Sequence, residues 1–233
     1  MNKSVSMKSE SHLNFCLGTS YFFPIFAFMQ FSSKLLEEAM LAFNTLPGVG
    51  KKSALRMALH VLKKDGEYAK RLANAITSAR EKIKYCSLCY NYADTEICDI
   101  CSDSRRDRQT ICVVEGTRDI MAIEETSQYK GVYHVLGGVL SPIDGIGPAE
   151  LNIGAFLERV SKHPVHEIIF AINPTIEGET TIYYLTKQME ALSIPISVIA
   201  RGVSFGSELE YADEVTLGRS ILARTPYQIK AVN

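Results

Sequence analysis

The apolar residues in the first third of the chain recur at the spacing of amphipathic helices. After Ser32 or Ser33, either of which can cap a helix, they stand at positions 35, 36, 39, 40 and 43. A second helical pattern runs through positions 54, 55, 58, 59 and 62, and a third covers Tyr68 to Ile83. The turn between the first two contains Pro47, Gly48 and Gly50. This part of the chain therefore predicts a small helical domain.

After Gln109 the pattern changes to short β-branched runs that alternate with helical segments. Strands are predicted at 111–114, 132–136, 167–172 and 196–200, with a last short strand near 214–217. Helices are predicted near 118–126, 148–160 and 179–192. Alternation of this kind is typical of a mainly parallel sheet that is covered by helices on both faces. We therefore expect an α/β domain after a boundary near 105–110, in a chain that is α+β overall.

The first 28 residues do not fit either pattern. Residues 13–28 are nearly all apolar, but the run is short for a membrane span, is broken by Gly18 and Pro24, and lacks an Ala-x-Ala cleavage site. Met29 begins a normal globular pattern. We interpret residues 1–28 as a non-native or disordered extension, with a targeting segment as the alternative, and expect a cytoplasmic protein with no membrane partner.

Charge is distributed unevenly along a chain whose formal net charge is only −1. Residues 51–84 contain ten Lys or Arg against three Asp or Glu, whereas residues 109–233 contain nine against fifteen. A basic segment joined to an acidic one indicates two surfaces with different partners, although a solvated helix face would also explain the basic run.

Four of the six cysteines form two Cys-x-x-Cys pairs within sixteen residues, with eight residues between the pairs. Each pair directs two thiolates at one ion, and two pairs complete a tetrahedral shell around zinc, which is structural because no position stays open for water. An iron–sulfur cluster or a redox dithiol are the alternatives. The predicted ligands are Cys86, Cys89, Cys98 and Cys101.

The turn between the first two helices resembles a helix-hairpin-helix motif. Its glycines permit backbone N–H groups to approach a DNA phosphate, the next helix adds its positive N-terminal dipole, and basic side chains follow at once. Such contacts do not distinguish base sequence, so binding should be non-specific and sensitive to salt. The alternative is an ordinary Pro-Gly turn. The candidate DNA-binding residues are Gly48, Gly50, Lys51, Lys52 and Arg56.

The segment Val113–Gly116, at the end of the first predicted strand of the α/β half, resembles the opening of a Toprim domain. In catalytic Toprim domains the glutamate acts with an Asp-x-Asp motif to hold magnesium, but here Asn173 and Thr175 follow the corresponding strand. Carboxylates that can gather near the carboxyl ends of the strands remain, and we predict that they form an acidic patch for a partner protein. They are Glu115, Asp119, Glu177 and Glu179.

The order of these features resembles the bacterial RecR family of recombination mediators. The resemblance covers about seven-eighths of the chain, from Met29 onwards. It rests on LPGVGKKSALRMA at 46–58, CSLC, CDIC, VLGGVLSPIDGIGPAEL at 135–151, AINPTIEGETT at 171–181 and ARGVSFGSELEYADEVTLGRSI at 200–221. It implies a helix-hairpin-helix domain at 29–84, a four-cysteine zinc finger at 85–108, a Toprim domain at 109–205 and a C-terminal segment at 206–233.

The resemblance also implies a function. Members of the family form ring-like homo-oligomers, bind single- and double-stranded DNA, and work with RecO and RecF to load RecA onto single-stranded DNA in repair. Lys52 and Arg56 match hairpin positions that are expected to face DNA. The protein would then be no enzyme. The alternative is a magnesium-dependent Toprim nuclease or strand-transfer enzyme, which the replacement of both aspartates disfavours.

Overall fold

A computed structural model describes residues 33–200, 202–203, 206 and 208–224. The extension that we predict at 1–28 and the end of the C-terminal segment lie outside the described residues. The chain divides into two compact units between Leu72 and Ala73. Within the described residues, no helix is both long enough and apolar enough to cross a membrane.

The first unit is built from helices at the predicted positions. Helix α1 spans Lys34–Asn44, α2 spans Lys51–Leu62, and α3 spans Gly66–Lys82 and crosses into the second unit. The Ser33 hydroxyl accepts a hydrogen bond from the Leu36 N–H and so caps α1. Buried Ala54 and Ala58 on α2 pack with Met40 of α1, because small side chains let the two helices approach closely.

The second unit begins with a small two-stranded ribbon. Strand β1 (Lys84–Tyr85) pairs antiparallel with β2 (Tyr92–Ala93), and the one-turn helix α4 (Asp99–Ser102) follows. All four predicted metal ligands lie in this segment, and their side chains are buried together.

A four-stranded parallel sheet forms the rest of the second unit, in the spatial order β4-β3-β5-β6. The strands are β3 (Asp107–Val114), β4 (Gly131–Val135), β5 (Glu167–Ala171) and β6 (Ile196–Val198). The connecting helices are α5 (Thr117–Glu125), α6 (Ile153–Lys162) and α7 (Ile176–Gln188), and a 3-10 turn follows at Glu190–Leu192.

The two faces of the sheet bury separate apolar clusters. Ile111, Val113 and Phe170 point to the face that packs against Phe156 of α6 and Leu185 of α7. Their neighbours in sequence, such as Cys112, Val114 and Ala171, point to the opposite face, where Ile120 of α5 covers them. The alternation follows from the two-residue period of a strand. The predicted parallel sheet with helices on both faces is thereby confirmed.

The cysteine-rich segment covers the exposed edge of this sheet. The N–H of Val135, in edge strand β4, donates to the carbonyl oxygen of Cys89 at 2.8 Å. The Arg159 guanidinium donates both to the Tyr133 carbonyl at 2.8 Å and to the Leu88 carbonyl at 3.1 Å. Backbone groups of an edge strand that would lack a partner in the sheet are thus satisfied by the finger and by α6.

An ion pair fixes the start of the sheet to α5. The largely buried Arg106 side chain forms a salt bridge with Glu124 and also donates to the carbonyl oxygens of Tyr129 and Gly131. The Tyr133 hydroxyl donates to the same carboxylate at 2.6 Å. The hydrogen bond with Arg106 lowers the pKa of Glu124, so the carboxylate stays ionised and the network is complete.

The strand predicted at 214–217 is wrong. These residues begin helix α8 (Glu214–Leu222) instead. Val215 and Leu217 alternate with polar residues, which favours a strand, but the Asp213 carboxylate accepts a hydrogen bond from the Thr216 N–H at 2.9 Å and caps a helix. This local side-chain contact outweighs an alternation that is only four residues long.

Helix α6 starts later than the pattern of apolar residues predicts, at Ile153 rather than near 148. The residue before it is held by the sheet, because the Asn152 N–H donates to the Leu136 carbonyl and its side-chain amide donates to the Val135 carbonyl. The segment 148–152 is therefore tied to the end of β4 and enters the helix only afterwards.

We predict that Gly178→Ala destabilises the sheet domain, whereas Gly154→Ala does not. A Cβ at Gly178 would lie 2.1 Å from the Asn173 carbonyl oxygen, and a Cβ at Gly154 would meet nothing within 4 Å. Gly178→Ala should lower the free energy of unfolding by about 1–3 kcal/mol, because the backbone at Asn173 must move to accommodate the methyl group. Gly154→Ala should be neutral or stabilising by up to about 1 kcal/mol, because alanine favours helix. Urea denaturation checks both, and equal stability of the two variants would contradict the prediction.

Candidate functional site

The four predicted metal ligands meet at one point. Cys86 follows β1, Cys89 lies in the turn before β2, Cys98 caps α4, and Cys101 lies within α4. All four are buried, and their Sγ atoms lie within 4.8 Å of one another. In the part of the chain that the structure describes, no other three His, Cys, Asp or Glu side chains come this close.

The backbone of the first Cys-x-x-Cys pair folds into a tight knuckle. The Cys86 N–H donates to the Asn91 carbonyl at 2.8 Å, and the Tyr90 N–H donates back to the Cys86 carbonyl at 2.9 Å. This turn requires the left-handed conformation at Tyr90, whose φ is +63°. A non-glycine residue adopts that conformation only at a cost of about 1–2 kcal/mol, so the surrounding contacts must hold it.

The chemistry of the four thiols fits a metal ion. The pKa of Cys98 is lowered to about 2 by hydrogen bonds with Cys101 and then Cys89, whereas those with Cys101 and then Cys98 raise the pKa of Cys89. The set therefore favours a thiolate at Cys98 and opposes ionisation of Cys89. A divalent cation removes that opposition, because it is attracted to all four sulfurs at once. When bound, it would be held by four protein ligands and would serve a structural purpose.

The helix-hairpin-helix turn has the backbone that the glycines predict. Gly48 has a φ of +77°, a value that side chains rarely permit, and the Val49 N–H closes the turn on the Leu46 carbonyl at 3.1 Å. Gly50 is the N-cap of α2 and has no side chain to occupy the amide groups of the first helical turn. This arrangement suits a phosphate oxygen at the positive end of the helix.

Two of the three basic candidates share one face of α2. Lys52 and Arg56 are four residues apart on the helix, so their side chains lie one above the other. Both are exposed, as is Lys51 in the same first turn. The structure thus brings the predicted DNA-binding residues together at one helix N-terminus.

The predicted acidic residues lie around the carboxyl ends of two strands, but not all in one cavity. Glu115 and Asp119 line a cavity of about 860 Å³, whereas Glu179 lines a separate one beside α8. One Glu115 oxygen accepts from the Asn173 N–H at 2.5 Å, and Asp119 accepts from the Gly116 N–H at 2.8 Å. Glu177 is half-buried in the first turn of α7.

The positions that follow β5 have structural uses. The backbone N–H of Asn173 holds Glu115, as described above, and the Thr175 hydroxyl caps α7 by accepting from the Gly178 N–H at 3.0 Å. Asn173 and Thr175 are therefore engaged with a glutamate and with a helix end.

The residue pattern alone did not predict a role for the tyrosines of the finger. Tyr85, Tyr90 and Tyr92 line the same cavity as Glu115 and Asp119, and the wall is completed by Arg118 and by residues at the ends of β3 and β4. Three aromatic residues within eight positions of a metal-binding loop were the available signal. Their orientation depends on the ribbon pairing, which the spacing of the cysteines does not reveal.

Comparison with known families identifies the parts of the chain. Residues 36–80 match the RecR helix-hairpin-helix model, 83–103 the RecR four-cysteine zinc finger domain, 109–200 the Toprim domain and 202–225 the RecR C-terminal model.

Proteins named Recombination protein RecR match most of the chain. The protein of Flavobacterium johnsoniae is 56% identical over 86% of this chain and 97% of its own length. That of Cytophaga hutchinsonii is 53% identical over 87% of this chain and 99% of its own length. A Porphyromonas gingivalis protein is 52% identical over 85% of this chain and 96% of its own length. With this degree of identity over nearly the whole length of these relatives, the chain belongs to the RecR family of recombination proteins.

Proposed function

We propose that this protein is a non-enzymatic, DNA-binding recombination mediator, which acts with RecO and RecF to load RecA onto single-stranded DNA. One observation carries the proposal: the chain joins a basic helix-hairpin-helix to a Toprim sheet in which Asn173 and Thr175 occupy the positions of the metal-binding aspartates. The first feature provides affinity for DNA, and the second leaves the fold as a platform for partner proteins.

The DNA surface is the N-terminal turn of α2. A phosphate oxygen would be held by the amides of that turn and by Lys52 and Arg56, which share a helix face. None of these groups reads a base edge, so single- and double-stranded DNA of any sequence should bind.

The partner surface for RecO is the acidic patch of the Toprim domain. Glu115 and Asp119 line one cavity. A basic protein surface would be attracted to these carboxylates through partly screened charge pairs. A magnesium-dependent nuclease is the competing function. It would need carboxylates fixed around the ion, and here Glu115 is hydrogen-bonded to the backbone of the residue that replaces the first aspartate.

The chain also has surfaces that suit a ring-like homo-oligomer. In the C-terminal part, Leu209, Val215 and Leu222 are each more than 60% exposed. Apolar side chains of this size favour burial against another copy of the chain. We further propose that the protein acts in the cytoplasm, where thiols stay reduced and available to a metal.

The metal that we propose is zinc, at one ion per chain. Replacing Cys86 with Ser should remove the ion and lower the free energy of unfolding by several kcal/mol, because metal binding contributes to folding. Replacing the lone buried Cys112 with Ala should leave the metal content at one. Elemental analysis of both purified variants checks this. Iron in the unmodified protein, or zinc retained by the Cys86 variant, would refute the assignment.

The DNA prediction concerns Lys52 and Arg56. Alanine at both positions should weaken binding to every sequence tested, and should reduce the slope of log affinity against log salt by roughly 0.7–0.9 for each lost phosphate contact. Lys63→Ala with Lys64→Ala is the matched control, because this pair removes the same two charges at the other end of α2, roughly 16 Å from Lys52. Fluorescence anisotropy over a range of salt concentrations measures both. Unchanged binding by the double variant would show that the turn has no role in DNA binding.

The acidic-patch prediction separates mediator from enzyme. Glu115→Gln with Asp119→Asn removes two charges but keeps acceptors for the Asn173 and Gly116 N–H groups. RecO binding should weaken and lose part of its salt dependence, while Glu125→Lys on the same helix should have little effect. Calorimetric titration with RecO provides the measurement. If the unmodified protein cleaves DNA with magnesium and Glu115→Gln abolishes that cleavage, the nuclease function is correct and the mediator proposal is wrong.

A further inference from the structure

Two tyrosines of the zinc finger form a stacked pair on its surface. Tyr85 and Tyr92 are direct partners in the β1–β2 register, and their ring centroids lie 5.3 Å apart with 28° between the ring planes. Their exposed fractions are 64% and 54%. We call this pair the tyrosine platform. A cross-strand aromatic pair stabilises a ribbon through the faces that touch, so the outer surface of the pair remains open to a further planar group.

The backbone on both strands of the platform is anchored by the cysteine cluster. Tyr85 immediately precedes the ligand Cys86, and Tyr92 immediately precedes Ala93, which is buried among the four cysteines. Two rings fixed in this way lose little conformational entropy when something stacks on them, in contrast with aromatic side chains on a flexible loop.

The cavity beside the platform discriminates between parts of a nucleotide. It measures about 860 Å³ and is lined by the two platform tyrosines, Tyr90 and Arg118, together with the carboxylates Glu115 and Asp119. The two carboxylates outnumber the single cation Arg118, so the cavity disfavours a phosphate. An uncharged base can enter, because its π-face stacks on tyrosine and its N–H groups can donate to carboxylate oxygens.

Positive charge is concentrated in the segment that leads into the platform. Lys82 and Lys84 are exposed just before Tyr85, and exposed Arg80 lies with Lys82 in the last turn of α3. A base on the platform and a backbone along these cations match the general arrangement of single-strand binding surfaces, which combine aromatic stacking with a basic track.

We propose that the tyrosine platform stacks an unpaired base of single-stranded DNA, as a contact distinct from the hairpin. The proposal rests on the DNA-binding function proposed above and gives it a preference: bases of a duplex are already stacked on one another, so the platform contributes to single-strand binding alone. The hairpin, in contrast, binds the phosphates of both single-stranded and duplex DNA.

The test compares a single-stranded oligonucleotide with the duplex of the same sequence. Tyr85→Ala with Tyr92→Ala should weaken single-strand binding between about 5-fold and 100-fold, leave duplex binding unchanged, and leave the salt dependence unchanged because no charge is lost. The pair of phenylalanine substitutions keeps both rings and should retain the affinity. Tyr183→Ala, at a tyrosine of α7 that is 66% exposed, is the matched control.

A second variant reports stacking directly. The chain has no tryptophan, so Tyr92→Trp introduces a single indole whose fluorescence should be quenched when a base stacks on it. Zinc content is measured for each variant. If the alanine pair loses zinc, the tryptophan variant decides: DNA binding without quenching overturns the proposal.

The outcomes separate the platform from the hairpin. Normal single-strand binding by the alanine pair overturns the platform, whatever the Lys52 and Arg56 variants show. Equal weakening for single strand and duplex also overturns it, since stacking on an unpaired base cannot act on a duplex. Loss of RecO binding with unchanged single-strand affinity would mean that the tyrosines serve a protein partner. If the tyrosine-to-alanine pair binds single-stranded DNA weakly while the Lys52 and Arg56 variant binds DNA normally, the platform is supported and the hairpin contact is refuted.

Discussion

The hydrogen bond from the Val135 N–H to the Cys89 carbonyl joins the two halves of the second unit. Strand β4 is the outer strand of the sheet, and its free edge has to be covered. The finger covers it at Cys89, and Arg159 links the neighbouring Leu88 carbonyl to the Tyr133 carbonyl. Since the Cys89 sulfur is buried among three others, the four-cysteine cluster positions the carbonyl that closes the edge of the sheet.

The large cavity depends on the same contact. One wall consists of finger tyrosines and the other of residues at the carboxyl ends of β3 and β4, such as Glu115 and Val135. If the knuckle around Tyr90 relaxed from its left-handed conformation, that residue would leave both the cavity and the His134 ring, which lies 5.5 Å from it. The packing of the finger against the sheet therefore determines the shape of this cavity.

Much of this arrangement could be predicted because its chemistry is local. Two Cys-x-x-Cys pairs are close in sequence and in space, glycine at position 48 demands a hairpin, and β-branched runs specify buried strands. Contacts between distant segments could not be predicted. The pairing of Tyr85 with Tyr92 depends on the ribbon register, and the division of Glu115 and Glu179 between two cavities depends on the sheet order. The strand predicted at 214–217 fails for a local reason, because a helix cap at Asp213 outweighs a short alternation.

The Glu115 carboxylate at the end of β3 is held by a backbone donor from the end of β5. It accepts the Asn173 N–H, and a side chain at position 178 would strike the Asn173 carbonyl, so glycine is required there. An amide carries only a partial positive charge, so it orients the carboxylate without neutralising it. The remaining negative charge faces a cavity open to solvent, where a cationic side chain or a base N–H can reach it.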